Sequence, residues 1–176
     1  MRLDEHSLNS DLIWGQISAF RGPPPGFSVM REFFQYQVPA FSNMAAAGAT
    51  ATNQLLIQAD SDFEWSLGSY EFDLASAAVT LSTQSIPNMT ILLTDSGSGR
   101  QLSSAAIPVT SLFGPLTKPF ILPITKVFKA NSNLSVTAVN FDAAVTTGNL
   151  RLTMTGWKIY YYRTGGQNFP EQAPQE

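Results

Sequence analysis

Between Val29 and Tyr162 apolar and polar residues alternate in short runs with a period of two, the repeat of a half-buried β-strand. "VMREFFQYQV" (Val29 to Val38) is dense in aromatic and β-branched residues. It predicts a strand that Pro39 stops, because proline has no N–H for a ladder. "ATNQLLIQA" aligns Leu55, Ile57 and Ala59 on one face, "AAVTLST" aligns Val79 with Leu81, and "NMTILLTD" aligns Met89, Ile91 and Leu93. "NLSVTAVNF" does the same with Leu134, Val136 and Ala138. The last run, Leu150 to about Tyr162, is the longest. Leu150, Leu152 and Met154 share one phase, and Trp157, Ile159 and Tyr161 share the other, which predicts a β-bulge at Gly156 that carries the second set into the core. "AAAG" (Ala45 to Gly48) is too short to cover the cost of helix nucleation. The turn clusters "DSGSGR", "FGPLTKP", "KANSN" and "AAVTTGN" separate the runs. About eight strands and no long helix predict an all-β fold, an antiparallel β-sandwich of jelly-roll type, with a plainer Greek key as the alternative.

The pattern is absent at both ends. Residues 1–28 read as an extended N-terminal arm closed by the Pro-rich linker "RGPPPG", residues 29–162 as the sandwich, and residues 163–176 as a mobile polar tail. Pro23, Pro24 and Pro25 make the linker a stiff spacer. The arm has two readings. It is a passive spacer, or it docks on a neighbouring subunit through Trp14, Ile17 and Phe20, which need somewhere to bury. On the second reading it is dispensable to the sandwich's own stability.

Composition narrows the function. Charged residues make up 13% of the 176, about half the roughly 25% usual for soluble domains. Ser, Thr, Asn, Gln and Ala stand in their place, and such surfaces cost little to desolvate against another protein. Net charge is −3 with the basic residues scattered, so the clustered basic footprint of nucleic-acid binding is missing. With no cysteine, disulfides and thiolate metal sites are excluded. No stretch approaches the ~20 apolar residues of a membrane helix, and the acidic start is unlike a secretory signal, so the chain is expected to be made in the cytoplasm.

Candidate chemistry is sparse. His6 lies in the arm, a poor place for a base that must be held against its partners. "TDSGSGRQL" has a superficial likeness to a phosphate loop. It lacks the third glycine and the Lys-Ser or Lys-Thr, and it opens no helix, so it reads as a hairpin. In "QADSDFEW", Asp60, Asp62 and Glu64 alternate with Ser61, Phe63 and Trp65. A strand would turn the three carboxylates to water and Phe63, Trp65 and Leu67 to the core. A weak calcium site completed by loop carbonyls is the alternative, although three carboxylates fall short of the six to eight oxygens calcium takes. Glycoside hydrolysis would need a second carboxylate converging across a cleft. These residues predict no catalytic, cofactor or metal site, and so no enzyme.

Four segments carry a resemblance: "AAAGATATNQLLIQADSDFEWSLGSYEFD", "NMTILLTDSGSGRQLSSAAIPV", "LFGPLTKPFILPITKVFKANSNLSVTAVNF" and "LRLTMTGWKIYYY". Their order and style resemble small virion proteins of tailed bacteriophages, in particular capsid cement or decoration proteins, over roughly residues 40–162. The resemblance implies a β-sandwich that assembles as a homotrimer, sits in the virion, and bridges neighbouring copies of the major capsid protein. It brings no catalytic residues. A neck, tail or fibre protein that recognises a host receptor or glycan is the alternative. It would expose an aromatic-lined groove, with Trp65, Trp157 and Tyr160 to Tyr162 as candidates, whereas the strand phase assigns Trp157 and Tyr161 to the core. A coat protein packaging its own genome is disfavoured, because Arg2 and Arg21 in the arm are outweighed by Asp4, Glu5 and Asp11.

Overall fold

A computed structural model describes residues 16–45, 48–74, 86–141 and 147–163. The strand expected around Val79 and Leu81, residues 46–47, most of the "AAVTTGN" turn and the C-terminal tail lie outside the described residues.

The chain folds into two mainly antiparallel sheets packed face to face, an all-β sandwich. One sheet is built on three long strands, β1 (Phe27–Ser42), β10 (Thr147–Arg163) and β3 (Asp62–Leu74), in the order β1-β10-β3. The free side of β3 takes the short β7 (Gly114–Pro115) and then β8 (Phe120–Phe128). The second sheet runs β2 (Thr50–Leu56), β9 (Asn133–Asn140), β4 (Met89–Asp95), with the short β5 (Arg100–Gln101) and β6 (Ile107–Pro108) paired to β4. Among the described residues the only helix is the 3-10 turn Val109–Ser111, and no helix is long and apolar enough to cross a membrane.

Period-two alternation fills the space between the sheets. Leu134, Val136 and Ala138 on β9, Met89, Ile91 and Leu93 on β4, and Leu150, Leu152 and Met154 on β10 are all buried. Trp65 lies stacked against Phe128 and tilted against Phe113, and its indole N–H donates to Leu67 O at 2.6 Å. Ala59 leaves its expected face because the chain turns at residues 59–60. "DSGSGR" is a hairpin turn: Asp95 accepts from the Gly97 amide and the Ser98 hydroxyl, and β5 pairs back onto β4.

Two sequence expectations are corrected. Pro39 does not stop β1. The strand continues to Ser42, and the register slips by one residue between Val38 and Phe41. The bulge asks no ladder N–H of the proline, and the Asn53 side chain bonds the freed carbonyls of Pro39 and Ala40. The second correction concerns Gly156. The irregularity is there, but the extra residue belongs to β3: Thr155 faces Leu67, Gly156 faces Trp65, and Ser66 is left between them. Gly156 is the point of close approach, where a Cβ would stand 1.9 Å from the Glu64 carbonyl oxygen. From Leu150 onward β10 therefore keeps one phase. Trp157, Ile159 and Tyr161 lie on the face opposite Leu150, Leu152 and Met154, and Trp157 is 41% exposed rather than in the core. The same bulge moves Leu67 out of the Phe63–Trp65 phase.

Candidate functional site

The acidic comb sits where β3 starts, between β10 and β8. Phe63 and Trp65 point into the core as expected. Their neighbours do not meet water: Glu64 is 1% exposed and Asp62 is also buried. The expectation of a wet face fails at Glu64 because residues Gln16–Phe20 of the arm lie across it as a strap, and at Asp62 because Lys129, the Ala130 amide and Tyr161 close over it.

The strap is held mainly by polar bonds. Ile17 N–H donates to Pro123 O and Thr125 N–H donates to Ile17 O, both at 2.9 Å, which makes Ile17 a parallel bridge partner of Ile124. The Gln16 amide donates to Ser66 O at 2.7 Å and to Leu122 O at 2.8 Å. Ala19 N–H donates to Thr125 Oγ1 at 2.6 Å. At the centre, Glu64 Oε1 accepts from the Ser18 hydroxyl and from Thr125 Oγ1, the latter at 2.6 Å. Glu64 Oε2 stands 3.0 Å from Arg31 Nη2 without hydrogen-bond alignment, so that contact is an ion pair rather than a directed bond. A buried carboxylate is tolerated only when paired and hydrogen-bonded, and here both conditions are met. Arg31 in turn lies 5.0 Å above the Phe20 ring, and Phe20 packs on Tyr161.

Asp62 is satisfied one step along. It accepts from Lys129 Nζ at 2.7 Å, and from the Ala130 N–H and the Tyr161 hydroxyl at 3.0 Å each. Burial pushes the Tyr161 phenol up to about 12, and the bond to Asp62 and its negative charge push the same way against a small opposing effect of Arg31. Asp60 is separate. It lies in the turn before β3 with its side chain half exposed, and it pairs with Lys158 at 3.0 Å. Lys158 is 4% exposed, its ammonium 4.4 Å over the Phe34 ring and bonded to Gln58. Burial opposes its charge, but the Asp60 contact outweighs that and holds its pKa above the ordinary value. The same contact, chiefly through its hydrogen bond, holds the Asp60 carboxyl below the usual range.

The three carboxylates are thus each taken by a cation of the protein itself. Among the described residues no three His, Cys, Asp or Glu are placed to hold a metal ion, which leaves the calcium alternative without a ligand set there. Glu64 lies beneath the strap with no approach for a substrate. What this arrangement does chemically is fasten the arm.

Of the residues singled out in the arm, Ile17 and Phe20 belong to the strap. Pro23, Pro24 and Pro25 form the exposed connector to β1, and Trp14 and His6 lie outside the described residues. The sequence reading missed Gln16, Ser18, Arg31, Thr125 and Lys129. Arg31, a lone cation within an aromatic run, was the one available signal.

Both sheets also carry exposed surfaces. On the strap-bearing sheet, Phe33 is 58% exposed and meets Trp157 edge to face at 6.0 Å, while Trp65 is core. On the other sheet, the outward positions are Thr50, Thr52, Gln54 and Leu56 of β2, Asn133, Ser135, Thr137 and Val139 of β9, and Thr90, Leu92 and Thr94 of β4. None of these eleven carries charge. Their polar groups are partly paired with one another, Thr52 to Thr137 at 2.8 Å and Asn133 to Gln54 at 2.7 Å.

Comparison with known protein families, with curated proteins and with solved structures finds no match.

Proposed function

We propose that this chain is a non-enzymatic virion structural protein of a tailed bacteriophage, a cement or decoration protein that bridges neighbouring major capsid subunits. The observation that carries the reading is the charge-free outer face of β2-β9-β4. A sheet face of hydroxyls and amides without charge, partly bonded among themselves, loses little hydration when another protein covers it. The strand order also supports a jelly roll. The chain passes back and forth between the sheets, setting β1-β10-β3-β8 against β2-β9-β4-β5. The resemblance of residues 40–162 to decoration proteins adds a homotrimer. Three copies each making a modest contact bind together by effective concentration.

A neck, tail or fibre role with glycan binding is the second reading, and the exposed Phe33–Trp157 pair favours it. Electron microscopy of the intact particle at subunit resolution separates the two. Density for the sandwich repeated with icosahedral symmetry on the shell supports decoration. Density at a single vertex or along the tail overturns it in favour of the second reading.

A further inference from the structure

The connector between the strap and β1, Arg21 to Gly26, touches little. All six residues are exposed, and their one backbone hydrogen bond among the described residues, Phe27 N–H to Pro24 O, closes a turn within the connector region itself. Gly22 (φ 93°) and Gly26 (φ 81°) hold left-handed conformations with open space around them. The strap's seat is the opposite: a specific template. It offers the carbonyls of Ser66, Leu122 and Pro123, the Thr125 amide and hydroxyl, and the Glu64 carboxylate, each matched by a group of Gln16–Ala19. Backbone groups of Ile17 and Ala19 make part of that match, but the Gln16 amide and the Ser18 hydroxyl, two residues apart, make the rest, and every copy of the chain carries them.

We propose that the strap is exchanged between copies: in the oligomer, Gln16–Phe20 of each protomer occupies the seat on β3 and β8 of its neighbour. Exchange restores every bond of the closed form, so its cost is confined to the connector. Releasing the turn at Gly26 leaves a proline spacer of about 3.1 Å per residue, roughly 19 Å over six residues, enough to reach an adjoining sandwich. The strap also leaves an apolar seam in water. Ile17 is 62% exposed and its bridge partner Ile124 is exposed as well, with Ile121 on the same strand. Packing protomers along that seam would cover it. The proposal rests on the oligomer in the function proposed above and not on the particle.

The absence of cysteine gives a direct test. Ile17 and Ile124 are bridge partners, and paired strands lie about 4.8 Å apart, within the reach of a disulfide. Both side chains are exposed, so Ile17→Cys and Ile124→Cys together should leave the fold intact. After oxidation of the purified full-length oligomer, a non-reducing denaturing gel should show covalently joined chains, up to the full oligomer. A product running as a single chain overturns the proposal, and so does the absence of any 17–124 disulfide by peptide mapping. As a second arm, chains with Ile17→Cys alone are co-refolded with chains carrying Ile124→Cys alone. Exchange predicts a 17–124 disulfide between the two; its absence again overturns it. Both readouts use the isolated protein, so failure here is distinct from failure to find the chain on a capsid.

Discussion

Removing the Glu64 carboxylate takes a common partner from Ser18, Thr125 and Arg31. Hydrogen bonds to a buried charge contribute roughly 1.5–3 kcal/mol, and Arg31, partly in water, softens the loss of the ion pair. Glu64→Ala is expected to cost about 2–3 kcal/mol in urea unfolding. Asp60→Asn should cost less, about 1 kcal/mol: Asp60 is half exposed, and although the buried Lys158 ammonium loses its counter-charge, the Asn and Gln58 oxygens still accept from it. If the two variants unfold alike, the difference drawn between a buried and a surface carboxylate is wrong. Tyr161 sets an alkaline limit. Its phenol is raised from about 10 to about 12 in the folded protein. Between those values the folded state holds a proton that the unfolded chain has lost. The contribution is therefore full below pH ~10 and falls away as pH rises toward 12. Tyr161→Phe should flatten that decline. Unfolding midpoints measured from neutral pH into that range, alongside phenolate absorbance, provide the check.

At the level of elements, the bulge between β3 and β10 makes the sharpest demand. Gly156→Ala would drive a methyl group into the Glu64 carbonyl, where both backbones are fixed by their ladders. The expected loss is at the upper end for a single substitution, about 4 kcal/mol or more, read as reduced soluble yield and a lowered melting temperature. The sequence revealed an irregularity at Gly156, because two sets of apolar positions meet there. It misassigned the extra residue, since two apolar phases on one strand mean either a bulge or two covered faces, and here the second holds. What covers that face is residues 16–20, some fifty residues from Glu64 in the chain, and no local period reports such a contact. The strands β4 and β9 were legible for the opposite reason: one face is core, the other open, and the alternation in "NMTILLTD" and "NLSVTAVNF" states both. The comb was half legible. Phe63 and Trp65 went to the core as their spacing required, while Asp62 and Glu64 were assigned to water that Lys129 and Tyr161 displace from the first and the strap from the second.

For the whole molecule the charge-free face of β2-β9-β4 is the surface to perturb. Thr137 lies on its central strand, paired to Thr52 on one side and Leu92 on the other. Thr137→Lys should leave the circular dichroism spectrum and melting temperature nearly unchanged, since surface substitutions usually stay within about 0.5 kcal/mol. It should nonetheless abolish co-sedimentation with capsid shells, because a buried unpaired charge costs several kcal/mol. Retained co-sedimentation would move the contact elsewhere. Light scattering after size exclusion should give about three chains per particle. A stable monomer across micromolar concentrations would remove both the trimer and the strap exchange.

The register slip at Pro39 has a consequence for how such a molecule stays in solution. β1 is sixteen residues long, and among the described residues it has β10 on one side and no strand on the other. A long strand in that position, with Arg31 and Glu32 as its charged residues, invites further strands to add without limit, which is the route to fibrils. The bulge at Pro39–Ala40 bends β1 and removes one N–H, while the strap closes the far side of the sheet over β8. On the proposed function, these two features would keep the self-association of a low-charge protein finite. Pro39→Val with deletion of Ala40 would straighten β1, and the product to expect is a thioflavin-positive aggregate instead of a closed oligomer.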